Sequence, residues 1–178
     1  MSLTLLSSAT ASNSASVAFT SGIDSTYDEY QFWFTDITQT GSSTTEFRFQ
    51  VNASGGSGFN ETITSTYWWV LHQENGASSG ISYQTGYDQA NGTSYQPLAA
   101  SIGQASDECG AGVLQLFSPA STTRVKHFIG KAQWYDPNYS ITGYTSGYIN
   151  TTTAITEVSF AMNTGNILGG NVYMFGVK

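Results

Sequence analysis

The chain has 178 residues, and only 10% of them are Asp, Glu, Lys or Arg, against about 25% in a typical globular domain. Five basic and twelve acidic residues leave a net charge of −7, so no basic surface can neutralise many phosphates and we expect no nucleic-acid partner. No apolar run approaches the ~18 residues of a membrane span, and the N-terminus lacks a basic n-region, so we expect neither a membrane partner nor a signal peptide. The length predicts one domain, residues 1–178.

Hydrophobic and polar residues alternate along most of the chain, which predicts β-strands. Residues 1–16 precede the first clear run, and their small polar part at 7–16 predicts a flexible arm or a loop behind a short first strand. The run at 67–71 is dense enough in apolar residues to be a central strand. In chain order the predicted strands are 17–19, 30–34, 46–52, 67–71, 113–117, 125–129, 156–162 and 172–178.

Turn-forming clusters of Gly, Asn and Ser separate these runs, at 54–58, 75–80, 91–93 and 163–166. The best helix candidate, Leu98 to Glu108, is weak because Gly103 lies inside it. The long intervals around 73–110 resemble the crossover loops of a Greek key. We therefore predict an all-β fold, a jelly-roll-like antiparallel β-sandwich of about eight to ten strands.

Few residues are suited to catalysis. His72 and His127 lie within β-like runs, where a hydrogen-bonded structural role is the more common one. Asp107 and Glu108 precede Cys109 and would raise the pKa of its thiol, which opposes a nucleophilic role. One cysteine and two distant histidines do not make a metal-ligand set.

The acidic cluster Asp24, Asp28 and Glu29 has two interpretations. Its oxygens could serve calcium, but the EF-hand pattern is absent, and an Asx turn leading into the strand at Tyr30 is favoured. Glycoside hydrolysis needs two facing carboxyl groups, and the sequence selects no such pair. We therefore expect no catalytic residues, no metal, no cofactor and no enzymatic activity.

Aromatic pairs supply candidate contact residues. Neighbouring residues on a strand point to opposite faces, so at most one of Trp68 and Trp69 belongs to a sandwich core. An exposed Trp or Tyr can stack on a sugar ring or anchor a protein interface, whereas a crowded core is the alternative. Basic residues near His127 could meet acidic groups of a neighbouring subunit or form a solvated strand face. The candidate interface or glycan contacts are Trp68, Trp69, Trp134, Tyr135, Arg124 and Lys126.

Several segments, taken together, resemble a family of small virion proteins encoded by tailed phages, especially phages of aquatic bacteria. They are residues 2–6, 17–30, 121–128, 147–155 and 172–178. The resemblance covers nearly the whole chain, and its motifs mark structure rather than activity. It implies an all-β virion component without assigned catalytic residues.

Two locations on a virion are compatible with one compact domain that lacks a shaft repeat. The first is a capsid decoration or cement protein on the particle exterior, made in the bacterial host cytoplasm. It would be a homotrimer that bridges major capsid protein subunits, with residues 1–16 as a docking arm. The alternative is a tail fibre, collar or baseplate module that recognises host-surface glycan through loops at 52–60, 74–96 and 134–147.

Overall fold

The computed structural model describes residues 2–178. Over this range the chain forms twelve β-strands and one turn of 3-10 helix at Thr85–Tyr87. The strands are β1 (Leu3–Ser14), β2 (Ser16–Phe19), β3 (Glu29–Gln39), β4 (Thr45–Ala53), β5 (Ile63–Gln73), β6 (Ser79–Tyr83), β7 (Gln96–Ile102), β8 (Gly110–Phe117), β9 (Lys126–Asp136), β10 (Tyr139–Ile149), β11 (Ile155–Met162) and β12 (Ile167–Val177). None of the described helices is long and apolar enough to cross a membrane.

The strands form two antiparallel sheets that pack as a sandwich. The large sheet has eight strands in the order β1-β12-β3-β8-β9-β10-β5-β6, and the small sheet has four in the order β2-β11-β4-β7. The half-sheet β1-β12-β3-β8 and the small sheet together have jelly-roll topology, because the chain passes between them in two interlocked Greek keys. The predicted fold class is therefore confirmed.

Two inserted hairpins raise the number of strands to twelve, above the predicted eight to ten. The hairpin β9-β10 joins the large sheet at β8, and the hairpin β5-β6 joins it at β10, so both extend the sheet on one side only. The small sheet therefore covers only part of the large one. β5, predicted as a central strand, lies next to the end of the sheet, where Val70 is 40% exposed.

The core is aromatic and is built from strands of both sheets. Phe32 and Phe34 on β3 and Phe47 on β4 point inward, as the alternation predicted, and are at most 1% exposed. Phe47 stacks on Phe160 of β11 with ring centroids 5.7 Å apart, and Phe34 lies 5.0 Å from Phe47 across the sandwich. Rings of this size supply most of the buried apolar area that holds the sheets together.

Three strands lie where the sequence predicted none, β6, β7 and β10, and β1 extends through residues predicted as an arm or a loop. The small residues at 7–16 are not a loop, because Leu3–Ser14 pairs with β12 along its length. Docking by residues 1–16 stays a prediction, and β1 is an edge strand of the large sheet. The weak helix candidate is mostly β7 and the turn after it.

β10 lacks a clear alternation of hydrophobic and polar residues because it contains glycines. A Cβ at Gly143 would collide with the Tyr67 hydroxyl and approach the Trp134 ring to 2.8 Å. A Cβ at Gly147 would collide with the carbonyl of Thr64 on the neighbouring strand. The predicted loop at 134–147 is therefore wrong: most of it is the β9-β10 hairpin, with its turn at Asn138.

Candidate functional site

The outer face of the large sheet carries a continuous row of large side chains. Each residue of the row is the direct register partner of the next one on the neighbouring strand. At the usual strand spacing the row extends about 29 Å across the sheet. We call it the aromatic row; its members are Tyr173, Trp33, Val113, Lys131, Tyr144, Trp68 and Tyr83.

Contacts along the aromatic row fix the orientation of its rings. Trp68 stacks on Tyr144 with centroids 4.2 Å apart and an interplanar angle of 12°. The Nζ of Lys131 lies 5.5 Å from the centroid of the Tyr144 ring, within reach of a cation–π interaction. The indole N–H of Trp33 donates to Oε1 of Gln31 at 2.8 Å. These rings are held by neighbours in the sheet rather than by a covering layer.

Large apolar side chains in the row and beside it remain open to solvent. Trp33 is 43% exposed, Ile129 45%, Tyr83 55% and Ile81 71%. Monomeric proteins rarely leave a long contiguous apolar surface uncovered, and such surfaces usually mark an interface. This face is therefore a candidate interaction surface.

The outer face of the small sheet is partly covered instead. We call residues 84–95, which connect β6 to β7, the covering loop. The buried amide of Gln50 on β4 donates to the carbonyls of Thr93 and Ser94 at 3.2 and 3.1 Å. The hydroxyl of Tyr95 donates to Ser159 Oγ on β11 at 3.1 Å. The covering loop is therefore bound to this sheet through its own backbone and through Tyr95.

A buried glutamine holds the other end of the covering loop. Gln96 is 0% exposed, and its Nε2 donates to the carbonyl of Tyr87 at 3.0 Å and to Thr145 Oγ1 at 3.2 Å. Its Oε1 accepts from Ser65 Oγ at 2.6 Å and from Gln89 Nε2 at 3.2 Å. This network links both sheets to the loop, and the sequence pattern contains no signal for it.

A pocket of about 350 Å³ lies between β4 and the covering loop. Glu46 and Arg48 of β4 line one wall, and Tyr87, Gln89 and Tyr95 of the covering loop line the other. Nη1 of Arg48 lies 3.9 Å from Oε2 of Glu46, and the guanidinium lies 6.0 Å from the Tyr95 ring centroid. The pocket therefore combines polar, charged and aromatic groups.

Burial weakens the charged forms of this ion pair. It raises the pKa of the Glu46 carboxyl, and the positive charge of Arg48 offsets only part of that rise. It also lowers the pKa of the Arg48 guanidinium, which Glu46 and Tyr95 partly restore. Both side chains are 20% exposed, so they remain reachable from the pocket.

Two of the predicted contact residues are not at the surface. Trp134 is 1% exposed, and its indole N–H donates to Ser101 Oγ at 3.0 Å in the core. Lys126 is 0% exposed, and its Nζ donates to the carbonyls of Thr151 and Thr153 at 3.2 and 2.7 Å. Both lie at inward positions of β9, so their assignment as surface contacts is wrong.

The other four predicted contact residues are distributed over separate places. Trp68 belongs to the aromatic row, whereas Trp69 points to the opposite face, with its ring centroid 6.4 Å from that of Trp134. Arg124 is exposed in the loop before β9. Tyr135 is half-buried, and its hydroxyl accepts from the backbone N–H of Asn138 at 3.4 Å. The fold brings none of these four together into one site.

The titratable groups singled out for chemistry lie apart from one another. Within residues 2–178 no group of three or more His, Cys, Asp or Glu side chains could hold a metal ion. The pKa of Cys109 is raised, as predicted, but the causes are burial and then Asp36 rather than Asp107 and Glu108. The carboxylate of Glu108 instead accepts from the backbone N–H of Ala105 at 2.7 Å.

The Asx turn predicted in the acidic cluster is confirmed. Oδ1 of Asp24 accepts from the backbone N–H of Thr26 at 2.8 Å, and these hydrogen bonds lower the pKa of Asp24. The buried ring of Tyr30 anchors the turn, because its hydroxyl accepts from the N–H of Asp24 at 2.9 Å.

Comparison of the chain with protein-family models, with curated proteins and with solved structures found no match. Any function proposed for the two candidate sites therefore rests on the geometry of those sites.

Proposed function

We propose that this chain is a structural protein of a phage virion, a capsid decoration protein that binds to the particle exterior. The resemblance to small virion proteins supports this class. The jelly roll supports it too, because this topology recurs in viral capsid domains as well as in lectins. The scarcity of charged residues suits a passive, assembled component better than a nucleic-acid-binding one.

The observation that carries the proposal is the aromatic row on the uncovered face of the large sheet. Protein interfaces are enriched in Trp and Tyr, and a few central aromatic residues usually supply most of their binding energy. A face of this kind requires a partner protein in the assembled state. The proposed partners are the major capsid protein and, in a homotrimer, a second copy of this chain.

Electron microscopy of the intact particle tests the position directly, because three-fold density on the head is expected. Trp33→Ala should reduce the number of copies bound per capsid about ten-fold or more, since it removes an exposed indole ring of the row. Leu168→Ala is the matched control, because Leu168 is 50% exposed but lies outside the row. Tail-located density, or equal occupancy for both variants, would contradict the proposal.

A second candidate function is the glycan-recognising module of a tail fibre, collar or baseplate. The pocket under the covering loop favours it, because this loop belongs to the 74–96 segment predicted to contact glycan. Tyrosine rings beside hydrogen-bonding groups are the surface that sugar rings require. A glycan array probed with the full chain tests this function, and a negative array together with head-located density would exclude it.

A further inference from the structure

The charges that line the pocket select among ligand classes. Glu46 and Asp88 contribute two carboxylates, whereas Arg48 contributes one guanidinium. Asp88 is already engaged, because its oxygens accept from the backbone N–H of Tyr67 and from the hydroxyl of Tyr83. The net charge of the lining is therefore negative, which disfavours phosphate, sulfate or carboxylate ligands.

Two polar atoms of the same pocket have no hydrogen-bond partner within the protein. Over residues 2–178, Nε of Arg48 and Oε1 of Gln89 are the buried side-chain polar atoms that lack one. Both residues line the pocket, but the two atoms themselves are screened from solvent, so a ligand contacts them only after these side chains turn toward the pocket. Buried polar groups are nearly always paired, so each unpaired one requires an explanation. One of these atoms is a donor and the other is an acceptor.

No simple ion satisfies both unpaired atoms. An ammonium group can donate to Gln89 but cannot accept from Arg48. An ionised carboxylate or phosphate can accept from Arg48 but cannot donate to Gln89. A hydroxyl group does both, so a ligand that carries neighbouring hydroxyls satisfies both atoms.

The pocket walls are preorganised for a ring-shaped ligand. Tyr95 is fixed by its hydrogen bond to Ser159, and Tyr87 is packed between Tyr67 and Trp69 at centroid distances of 5.3 and 5.9 Å. Because the hydrogen bonds of Gln96 also hold the Tyr87 backbone, the two tyrosine rings need little ordering when a ligand binds. A volume of about 350 Å³ lies at the lower end of the range for small-molecule sites.

We propose that this pocket binds one neutral sugar unit, whose hydroxyls accept from Arg48 and donate to Gln89 and Glu46, between Tyr87 and Tyr95. This inference develops the second candidate function and is independent of where the chain is located on a particle. The same pocket is compatible with a decoration protein that also adheres to neutral glycans.

The test is a titration of the full-length, isotope-labelled chain by nuclear magnetic resonance. The probes are glucose, galactose, mannose and N-acetylglucosamine, with glucuronate as the acidic comparison. At least one neutral sugar should bind saturably and shift the amide signals of Tyr87, Gln89 and Tyr95. Arg48→Met should weaken this binding about ten-fold or more, because it removes a charged donor.

Two further variants keep the test decisive. Arg124→Met, on an exposed loop outside the pocket, is the matched control and should leave the affinity unchanged. Glu46→Gln keeps the shape of the wall and should weaken binding less than Arg48→Met, so it replaces that variant if Arg48→Met does not fold.

Three results would overturn the proposal. They are the absence of saturable binding by all four neutral sugars, tighter binding of glucuronate than of every neutral sugar, and equal affinities in the wild type and in the folded pocket variants. Particle occupancy measured with the same variants separates this site from the decoration function, since occupancy should not depend on Arg48.

Discussion

The outer faces of the two sheets differ in how far they are shielded from solvent. The large sheet leaves Trp33, Tyr83 and their neighbours exposed, and its rings support one another only within the sheet. The small sheet is covered by residues 84–95, so Gln50 and Ser159 are buried although they lie on its outer side. The comparison indicates that the first face is available to a large partner and the second to a small ligand.

The largest expected effect comes from detaching the covering loop. Gln96→Leu keeps the volume but leaves the hydroxyl of Ser65 without its acceptor and the carbonyl of Tyr87 without its donor, so it should lower the free energy of unfolding by about 3 kcal/mol. Urea denaturation measures this loss. The matched control is Gln73→Leu on β5, a half-buried position that makes no side-chain hydrogen bond to the described residues, and it should cost about 0.5 kcal/mol or less. Equal losses would mean that Gln96 does not hold the loop.

A smaller effect is expected on the open face. Trp68→Ala removes the stack on Tyr144 but opens no interior cavity, so the free energy of unfolding should fall by about 1.5 kcal/mol. Trp68→Phe keeps an aromatic ring in the stack and should recover part of the loss in the same urea experiment. A loss as large as that of Gln96→Leu would show that the two faces do not differ in this way.

The smallest effect is a pH dependence inside the pocket. Because the folded protein raises the pKa of Glu46 above its ordinary 4.5, the folded state binds the proton more tightly than the unfolded state does. The contribution of Glu46 to stability should therefore be complete at low pH and fall as the pH rises above 4.5. Relative to the wild type, Glu46→Gln should gain stability between about pH 4 and about pH 7, by less than about 1 kcal/mol. Urea midpoints at both pH values measure the difference, and a constant difference would contradict the assignment.

Local patterns predicted most of the fold, and they did so where burial alternates strictly. Tyr30, Phe32 and Phe34 face inward on β3 as expected, because a strand alternates its side chains whatever its neighbours are. β10 was missed because Tyr67 and Trp134 leave no room for a side chain at Gly143, and the carbonyl of Thr64 leaves none at Gly147. In β10, close packing against strands that are distant in the sequence requires glycine, so the alternation of hydrophobic and polar residues is lost.

The candidate sites were less predictable than the fold. Strand geometry correctly predicted that Trp68 and Trp69 point to opposite faces, and Trp68 belongs to the aromatic row. It could not predict that Lys126 is buried, because Lys126 has an inward position on β9 and reaches two carbonyls of the turn at 151–153. Charge alone suggested a solvated residue.

The sequence by itself determined the all-β class, the inward faces of most strands and the low charge of the surface, because alternation and composition are local properties. Only the tertiary structure decided the jelly-roll order, the aromatic row and the pocket under the covering loop. The row joins residues from seven strands, between positions 33 and 173, through sheet register. The pocket joins β4 to a loop about forty residues later through the buried amides of Gln50 and Gln96. Contacts of such separation depend on the pairing of whole strands, which no short segment specifies.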